Sequence, residues 1–286
     1  NEQAPAISIH PFATNGRGRL FAENSTVEFD VVFPVLHGPF GEDGTIQGFF
    51  DIVDVPYVGS NCGSSWICMD KLLAKSLCER EDITVADYVY LRTVEEISTK
   101  EREIEKLGLP LFVKPSRLGS SIGISKVLCA GLLTNAVKEA LRYGRVCLVE
   151  KAIDGREIET AVLGLGHSAR VALPGEIIAS KHIGWYSYEA KYLLPDGAET
   201  IVPAVLDEKT VKRVQELTLR IFQLLECDGM ARIDLFLERQ TGKLYFNEAN
   251  TIPGFTPISM YPKMWQASGL TYQELITELV ELAFKR

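Results

Sequence analysis

The residues best equipped for chemistry lie between Met230 and Pro262, in MARIDLFLERQTGKLYFNEANTIPGFTPISMYP. The stretch reads as two strands joined by a tight turn. In the first, Met230–Glu238, Arg232, Asp234 and Phe236 alternate with Ile233, Leu235 and Leu237. In the second, Lys243–Ala249, Glu248 shares a face with Asn250, because side chains two apart point to the same side of a strand. Gln240-Thr241-Gly242 suits a three-residue hairpin loop with glycine in the left-handed position. If Arg239 pairs with Lys243, then Asp234 faces Glu248 and Arg232 faces Asn250. Two opposed carboxylates repel unless a cation lies between them. With an amide oxygen beside them they form a hard-oxygen set suited to Mg²⁺. The alternative is an ordinary exposed hairpin with solvated charges. The following NEANTIPGFT favours the site, since its Pro-Gly turn offers backbone N–H groups close by.

A second set of groups could hold phosphates. Leu111–Val113 is an apolar strand end that runs into Lys114-Pro115-Ser116-Arg117-Leu118-Gly119-Ser120-Ser121-Ile122-Gly123. Glycines and serines between strands make a flap whose N–H and hydroxyl groups can fold over phosphates, with Lys114 as the cation. No helix follows, so it is not a Walker loop, and a polar hairpin loop is the plainer reading. Val146–Glu150 is a buried strand leading to Lys151-Ala152-Ile153-Asp154-Gly155, and Arg156–Leu163 alternates as another strand. Such a strand can expose backbone amides to an adenine edge, with Glu157 near a ribose. Phe29–Leu36 reads as a short buried strand weakened by Pro34. It enters the glycine-spaced loop HGPFGEDG, where His37 either braces the loop or contacts a small anion. Lys71, on a helix predicted over Trp66–Glu79, looks like a solvated charge. Lys191 and Tyr192 sit in the aromatic-rich GWYSYEAKYLL, which is core or interface packing, or a lid.

The scaffold comprises further predicted helices over Thr93–Leu107, Asn135–Tyr143 and Glu208–Glu226, the last capped by Asp207. A helix opened by a Thr271/Glu274 capping box ends the chain. Hydrophobic residues make up 46% of the 286, enough for real cores. Lys+Arg 30 against Asp+Glu 38 gives −8, which argues against nucleic acid or an anionic membrane as partner. The six cysteines are scattered without metal-type pairs, as expected of free thiols in a reducing cytosol. No stretch approaches a membrane span and no signal peptide is recognisable, so a cytoplasmic protein is expected.

In order along the chain, HGPFGEDG, MDK, FVKPSRLGSSIG, VEK, YEAKY, ARIDLFL and NEANTIPGFT together resemble the D-alanine–D-alanine ligases of the ATP-grasp superfamily, from about Phe29 to Arg286. The resemblance implies an α/β chain, α+β in its ATP-grasp part. A partial N-terminal Rossmann-like lobe (1–59) would precede the central (60–153) and C-terminal (154–286) ATP-grasp subdomains, with ATP between two antiparallel sheets. It implies that two D-alanines are joined through a D-alanyl phosphate for peptidoglycan synthesis, with Mg²⁺, or Mn²⁺ in its place, and a homodimer. By the same resemblance Lys71, Lys114, Glu150, Lys151, Ile153 and Glu157 contact ATP, and Asp234, Glu248 and Asn250 hold the metal. Arg232 and the Gly254 N–H stabilise the oxyanion, Ser259 and Met260 meet the second D-alanine, and His37 lies where the first binds. Ser120 with Tyr192 links two closing loops, and Lys191 touches phosphate from the lid. Rival readings are a D-alanyl-D-lactate or D-alanyl-D-serine ligase, against which the Tyr192 hydroxyl speaks, and a non-catalytic nucleotide-binding module. The family's opening strand, glycine-rich turn and acidic residue are not in this sequence. A truncated chain is expected to bind ATP yet ligate poorly.

Overall fold

The structure, a computed structural model, is described for residues 7–9, 17–22, 25–179 and 198–285. Lys191 and Tyr192 lie outside these residues, as does the whole GWYSYEAKYLL stretch. Among the described residues no helix is long and apolar enough to cross a membrane.

The centre is a six-stranded antiparallel sheet built on two 11-residue strands, β8 (Gly155–Leu165) and β12 (Asp228–Glu238). They pair along their whole length, from Asp228 against Leu165 to Glu238 against Gly155. β9 (Arg170–Val171), β10 (Gly175–Ala179) and β11 (Ala198–Ile201) extend one side, and β13 (Leu244–Asn250) pairs with the other edge of β12. Apolar residues cover both faces: Ile158, Val162, Ile233 and Leu235 pack in one core, Ala161, Leu163 and Met230 in another. On the first lies the helix of Glu208–Leu224, with the predicted Asp207 cap accepting from the Thr210 N–H at 3.0 Å. On the second lie Met260–Ala267 and Tyr272–Ala283, the latter opened by the predicted capping box.

A second, four-stranded antiparallel sheet runs β4 (Tyr88–Leu91), β7 (Cys147–Lys151), β5 (Leu111–Pro115), β6 (Ser125–Val127). It has its own core, with Val113, Val137 and Val149 fully buried. The Phe246 N–H, bonded to the Thr84 carbonyl at 2.9 Å, ties β13 to the segment that leads into β4.

Three predicted elements are corrected. Phe29–Leu36 is not a strand: Val32 alone makes a parallel bridge, to Tyr57, around the helix Thr45–Ile52, while Val35 and Leu36 are exposed. Pro34 has no N–H to continue the ladder. The helix over Trp66–Glu79 is two helices, Cys62–Met69 and Lys71–Arg80, because Asp70 turns its carboxylate onto the Leu72 and Leu73 N–H groups and starts a new one. Thr93–Leu107 also breaks, into Glu96–Thr99 and Glu101–Leu107, where the Ser98 and Thr99 hydroxyls bond back to the Glu95 and Glu96 carbonyls. The N-terminal residues without a visible period contribute a small antiparallel sheet of β1 (Ile7–Ile9), β2 (Gly18–Ala22) and β3 (Ser25–Phe29).

Candidate functional site

Between the two sheets opens a cleft of ≈ 540 Å³. Its lining includes Lys71, Lys114, Glu150, Lys151, Ile153, Glu157, Asp234 and Glu248, eight residues singled out from the sequence. They arrive from both sheets and from the start of the helix Lys71–Arg80, which is why only the tertiary fold collects them.

The hairpin delivers the acids by a route the sequence did not reveal. Asp234 faces Glu248 and Arg232 faces Asn250, as expected. Yet the hairpin closes one residue earlier, the Glu238 N–H bonding to the Lys243 carbonyl rather than Arg239 pairing with Lys243. The loop has four residues, 239–242, with Gly242 at φ +67. A β-bulge at Asn247 restores the count, since Leu235 pairs with Phe246 but Asp234 with Glu248. The bulge turns both Asn247 and Glu248 to the cleft.

The two carboxylates are held by cations of the chain. Arg232 grips Asp234 with two bonds of 2.7 Å, and Asn250 Nδ2 donates to Asp234 Oδ2 at 3.0 Å. Glu159, opposite Asp234 on β8, lies 3.1 Å from Arg232 Nε. Burial opposes the Arg232 charge, but Asp234 and Glu159 outweigh it and hold the guanidinium protonated well above its usual range. Glu248 pairs with Lys71 at 3.2 Å. Among the described residues no group of three or more His, Cys, Asp or Glu side chains converges as a metal site. The donor set on the hairpin is two acids and an amide on one face, which matches hard-cation chemistry.

Lys71 is buried, not solvated, with its ammonium on the Leu118 carbonyl at 2.8 Å. The Lys71 N–H meets the Ser116 carbonyl at 2.9 Å, so this lysine is tied at both ends to the serine-glycine flap. Asp70 completes the tie by accepting from Ser116 Oγ and Arg117 Nε, each at 2.5 Å, while Arg117 stacks on Trp66 at 4.1 Å. Burial opposes ionisation of Asp70, but those two bonds hold its carboxyl below the usual range. In the flap, Ser120 and Ser121 both adopt left-handed backbone, at φ +55 and +58. Such neighbouring left-handed residues mark a strained, purpose-shaped turn.

Deeper in the cleft Lys114 bonds Glu150 Oε2 at 2.6 Å and reaches the bulge residue through Asn247 Oδ1 at 3.3 Å. Burial opposes the Glu150 charge, yet Lys114 and Lys75 keep the carboxyl below its ordinary range.

The remaining predicted residues lie in the loop after β13 and in the N-terminal lobe. Ser259 stands at the N-cap position of the helix Met260–Ala267 without a capping bond, its Oγ instead accepting from the Thr256 N–H at 3.0 Å. Met260 is buried in the core, so only its backbone is available to a ligand. A Cβ on Gly254 would sit 2.6 Å from Ser259 Oγ, which explains glycine there. Phe255 packs edge-on against Phe33 at 5.3 Å, bringing the Gly254 loop beside the segment that leads to the exposed His37.

Sequence reading missed Glu42, Lys75, Glu159 and Asn247. The Glu42 Oε2 accepts from the Gly38 N–H at 2.6 Å, and burial pushes its carboxyl up to about 7, with the Gly38 bond and Arg232 pulling the other way. Its place in HGPFGEDG was the available signal. The other three are chosen by partners far away in the chain.

Comparison with known proteins points one way. The model of a family described as D-ala D-ala ligase C-terminus matches residues 77–281, and that of D-ala D-ala ligase N-terminus matches residues 9–60. A curated protein named D-alanine--D-alanine ligase A, from Bradyrhizobium diazoefficiens, is 49% identical over 264 residues, covering 91% of this chain and 70% of its own. The solved D-alanine-D-alanine ligase from Coxiella burnetii superposes with TM-score 0.84 at 38% identity, over 99% of this chain and 74% of that one. The VanG D-Ala:D-Ser ligase from Enterococcus faecalis gives 0.83 at 38% identity, over 92% and 76%.

Proposed function

This chain belongs to the D-alanine–D-alanine ligase family, and we infer that it joins two molecules of D-alanine into D-alanyl-D-alanine at the cost of ATP, supplying peptidoglycan precursor synthesis. The observation that carries this reading is the meeting, in one cleft between two antiparallel sheets, of Lys71 and Lys114 with the Asp234/Glu248 pair. That is the ATP-grasp arrangement, and it supports the division into 1–59, 60–153 and 154–286.

The carboxylate of one D-alanine attacks the γ-phosphate of ATP, giving D-alanyl phosphate and ADP. The amine of a second D-alanine then attacks the acyl carbon, loses a proton, and phosphate leaves. Lys71 and Lys114 offset phosphate charge, Glu150, Lys151 and Ile153 hold the adenine, and Glu157 takes the ribose. Asp234, Glu248 and Asn250 would hold Mg²⁺, or Mn²⁺ in its place, which when bound offsets charge on the phosphoryl group. Glu159 then stays with Arg232 as its counter-ion. Arg232 and the Gly254 N–H face the developing oxyanion, a donor of this kind being worth about 3 kcal/mol. Ser259 and the Met260 N–H receive the second carboxylate, and His37 faces the first D-alanine. By the family resemblance Ser120, with Lys191 and Tyr192 from outside the described residues, keeps out the water that would hydrolyse the acyl phosphate. The family resemblance supports a homodimer.

The test is phosphate release and dipeptide mass with D-alanine alone, then with D-serine or D-lactate as second substrate. Release that requires D-alanine and yields the dipeptide is expected. Release indifferent to D-alanine refutes the reading, and preference for D-serine would place the chain with the VanG-like enzymes.

A further inference from the structure

Behind the adenine wall lies a charged side chain to which the reaction assigns nothing. Lys75, one turn beyond Lys71, is 1% exposed, among the largest fully buried side chains of the described residues. Burying an ammonium is costly and needs a partner. Its partner is Glu150, itself buried, whose Oε1 lies 3.4 Å from Lys75 Nζ while Oε2 takes Lys114 at 2.6 Å. Oε1 is buried, and its contact with Lys75 is a long ion pair rather than a well-aligned hydrogen bond. A buried carboxylate held between two ammonium groups calls for an explanation. Glu150 pairs with Phe112 across the sheet, and the cleft it lines also carries Ala86, Ile153 and Leu235, apolar walls of the sort that take a flat ring.

We propose that Lys75 is a positioning residue that sets the choice of nucleobase. It keeps Glu150 ionised, each carboxylate oxygen retaining a spare lone pair, so that the slot accepts a 6-amino purine and repels a 6-oxo purine. The proposal rests on the nucleotide-binding reading above. An ionised carboxylate only accepts hydrogen bonds. It therefore welcomes the exocyclic amine of adenine and opposes the carbonyl oxygen of hypoxanthine. Two cations are needed for this: with Lys114 alone, that ammonium is consumed neutralising Glu150 instead of phosphate. Burial pulls the Lys75 ammonium down to about 8, with Glu150 holding it up, so it is charged at neutral pH.

The experiment compares ATP with inosine triphosphate at saturating D-alanine in the wild type, Lys75→Met and Lys75→Arg. The wild type is expected to favour ATP in kcat/KM on the order of a hundredfold. Lys75→Met should cut that preference to about tenfold or less, through KM for ATP, with KM for D-alanine unmoved. Lys75→Arg should restore most of it. A Lys75→Met protein that keeps the wild-type preference, or whose KM values for ATP and D-alanine rise together, overturns the proposal. If Lys75→Met does not fold, Glu150→Gln decides: its amide can donate to a 6-oxo group, so full retention of the ATP preference overturns the proposal, and its collapse supports it. Absence of D-alanine-dependent phosphate release in the wild type with ATP would overturn the functional reading itself.

Discussion

Replacing Asp70 by alanine should damage stability and nucleotide binding together. The Asp70 carboxylate caps the helix Lys71–Arg80 and receives Ser116 and Arg117 from the flap. Loss of the cap costs about 1 kcal/mol. The Ser116 hydroxyl, 3% exposed, loses its acceptor in a buried place, which costs about 1–3 kcal/mol. The Arg117 pair is half exposed on the arginine side and adds at most about 1 kcal/mol. The sum, about 3 kcal/mol, is a large share of the roughly 5–15 kcal/mol that holds a domain folded. In urea the midpoint should fall at unchanged slope, and KM for ATP should rise while KM for D-alanine does not. The carboxyl is held below its ordinary 3.8, so its contribution is present above that pH and is lost as pH falls through the folded-state value. The gap between wild type and variant should therefore be full at pH 7 and narrow below about pH 4. A double-mutant cycle with Ser116→Ala should show a coupling of at least about 1 kcal/mol. Additive losses, or a total under about 1 kcal/mol, would refute the account of Asp70 as the shared anchor of helix and flap.

Other outcomes follow from the same geometry. Asp234→Asn should lower kcat for phosphate release by roughly 10²–10³-fold, because it weakens the donor set and frees Arg232; near-normal turnover would remove Asp234 from the site. Gly254→Ala should lower the melting temperature, and adding Ser259→Ala should recover much of the loss, because Ser259 Cβ lies 3.4 Å from the new methyl where Oγ lies 2.6 Å. Equal melting temperatures for the single and double variants would disprove that contact. Glu42, raised from 4.5 to about 7, is protonated more readily when folded, so wild-type stability should decline as pH rises across that interval. Glu42→Gln should flatten the decline by about 1–2 kcal/mol once partial exposure is allowed for, and an unchanged pH profile would count against it.

Much of this molecule was readable from local chemistry. The Asp207 and Thr271/Glu274 caps act within three residues, and period two alone marks β8 and β12 as strands, although β8 buries both faces from Ile158 to Gly164. Failures occurred where a distant partner decides. Lys71 and Lys75 resemble any exposed helical lysines until Glu248 and Glu150 fold against them. Asp70 looked like a mid-helix residue because its second job, holding Ser116, involves a loop 46 residues away. The hairpin register was right at Asp234 for an incomplete reason: a turn one residue too short and an unseen bulge cancel. Glu159 carried no signal, since a carboxylate in an alternating strand is ordinary until β12 sets Arg232 beside it.

That bulge has a further consequence. A regular strand presents one side chain to a given ligand about every 6.8 Å, since alternate residues turn away. At Asn247 and Glu248 two neighbours reach into the same space, one toward Lys114 and one toward Lys71, while Phe246 and Ala249 on either side stay in the core. Excising Asn247 would leave Asp234 opposite Glu248 and no other side chain inverted. The extra residue is thus a modular addition: it doubles the local density of polar side chains facing the cleft while leaving the sheet's alignment intact.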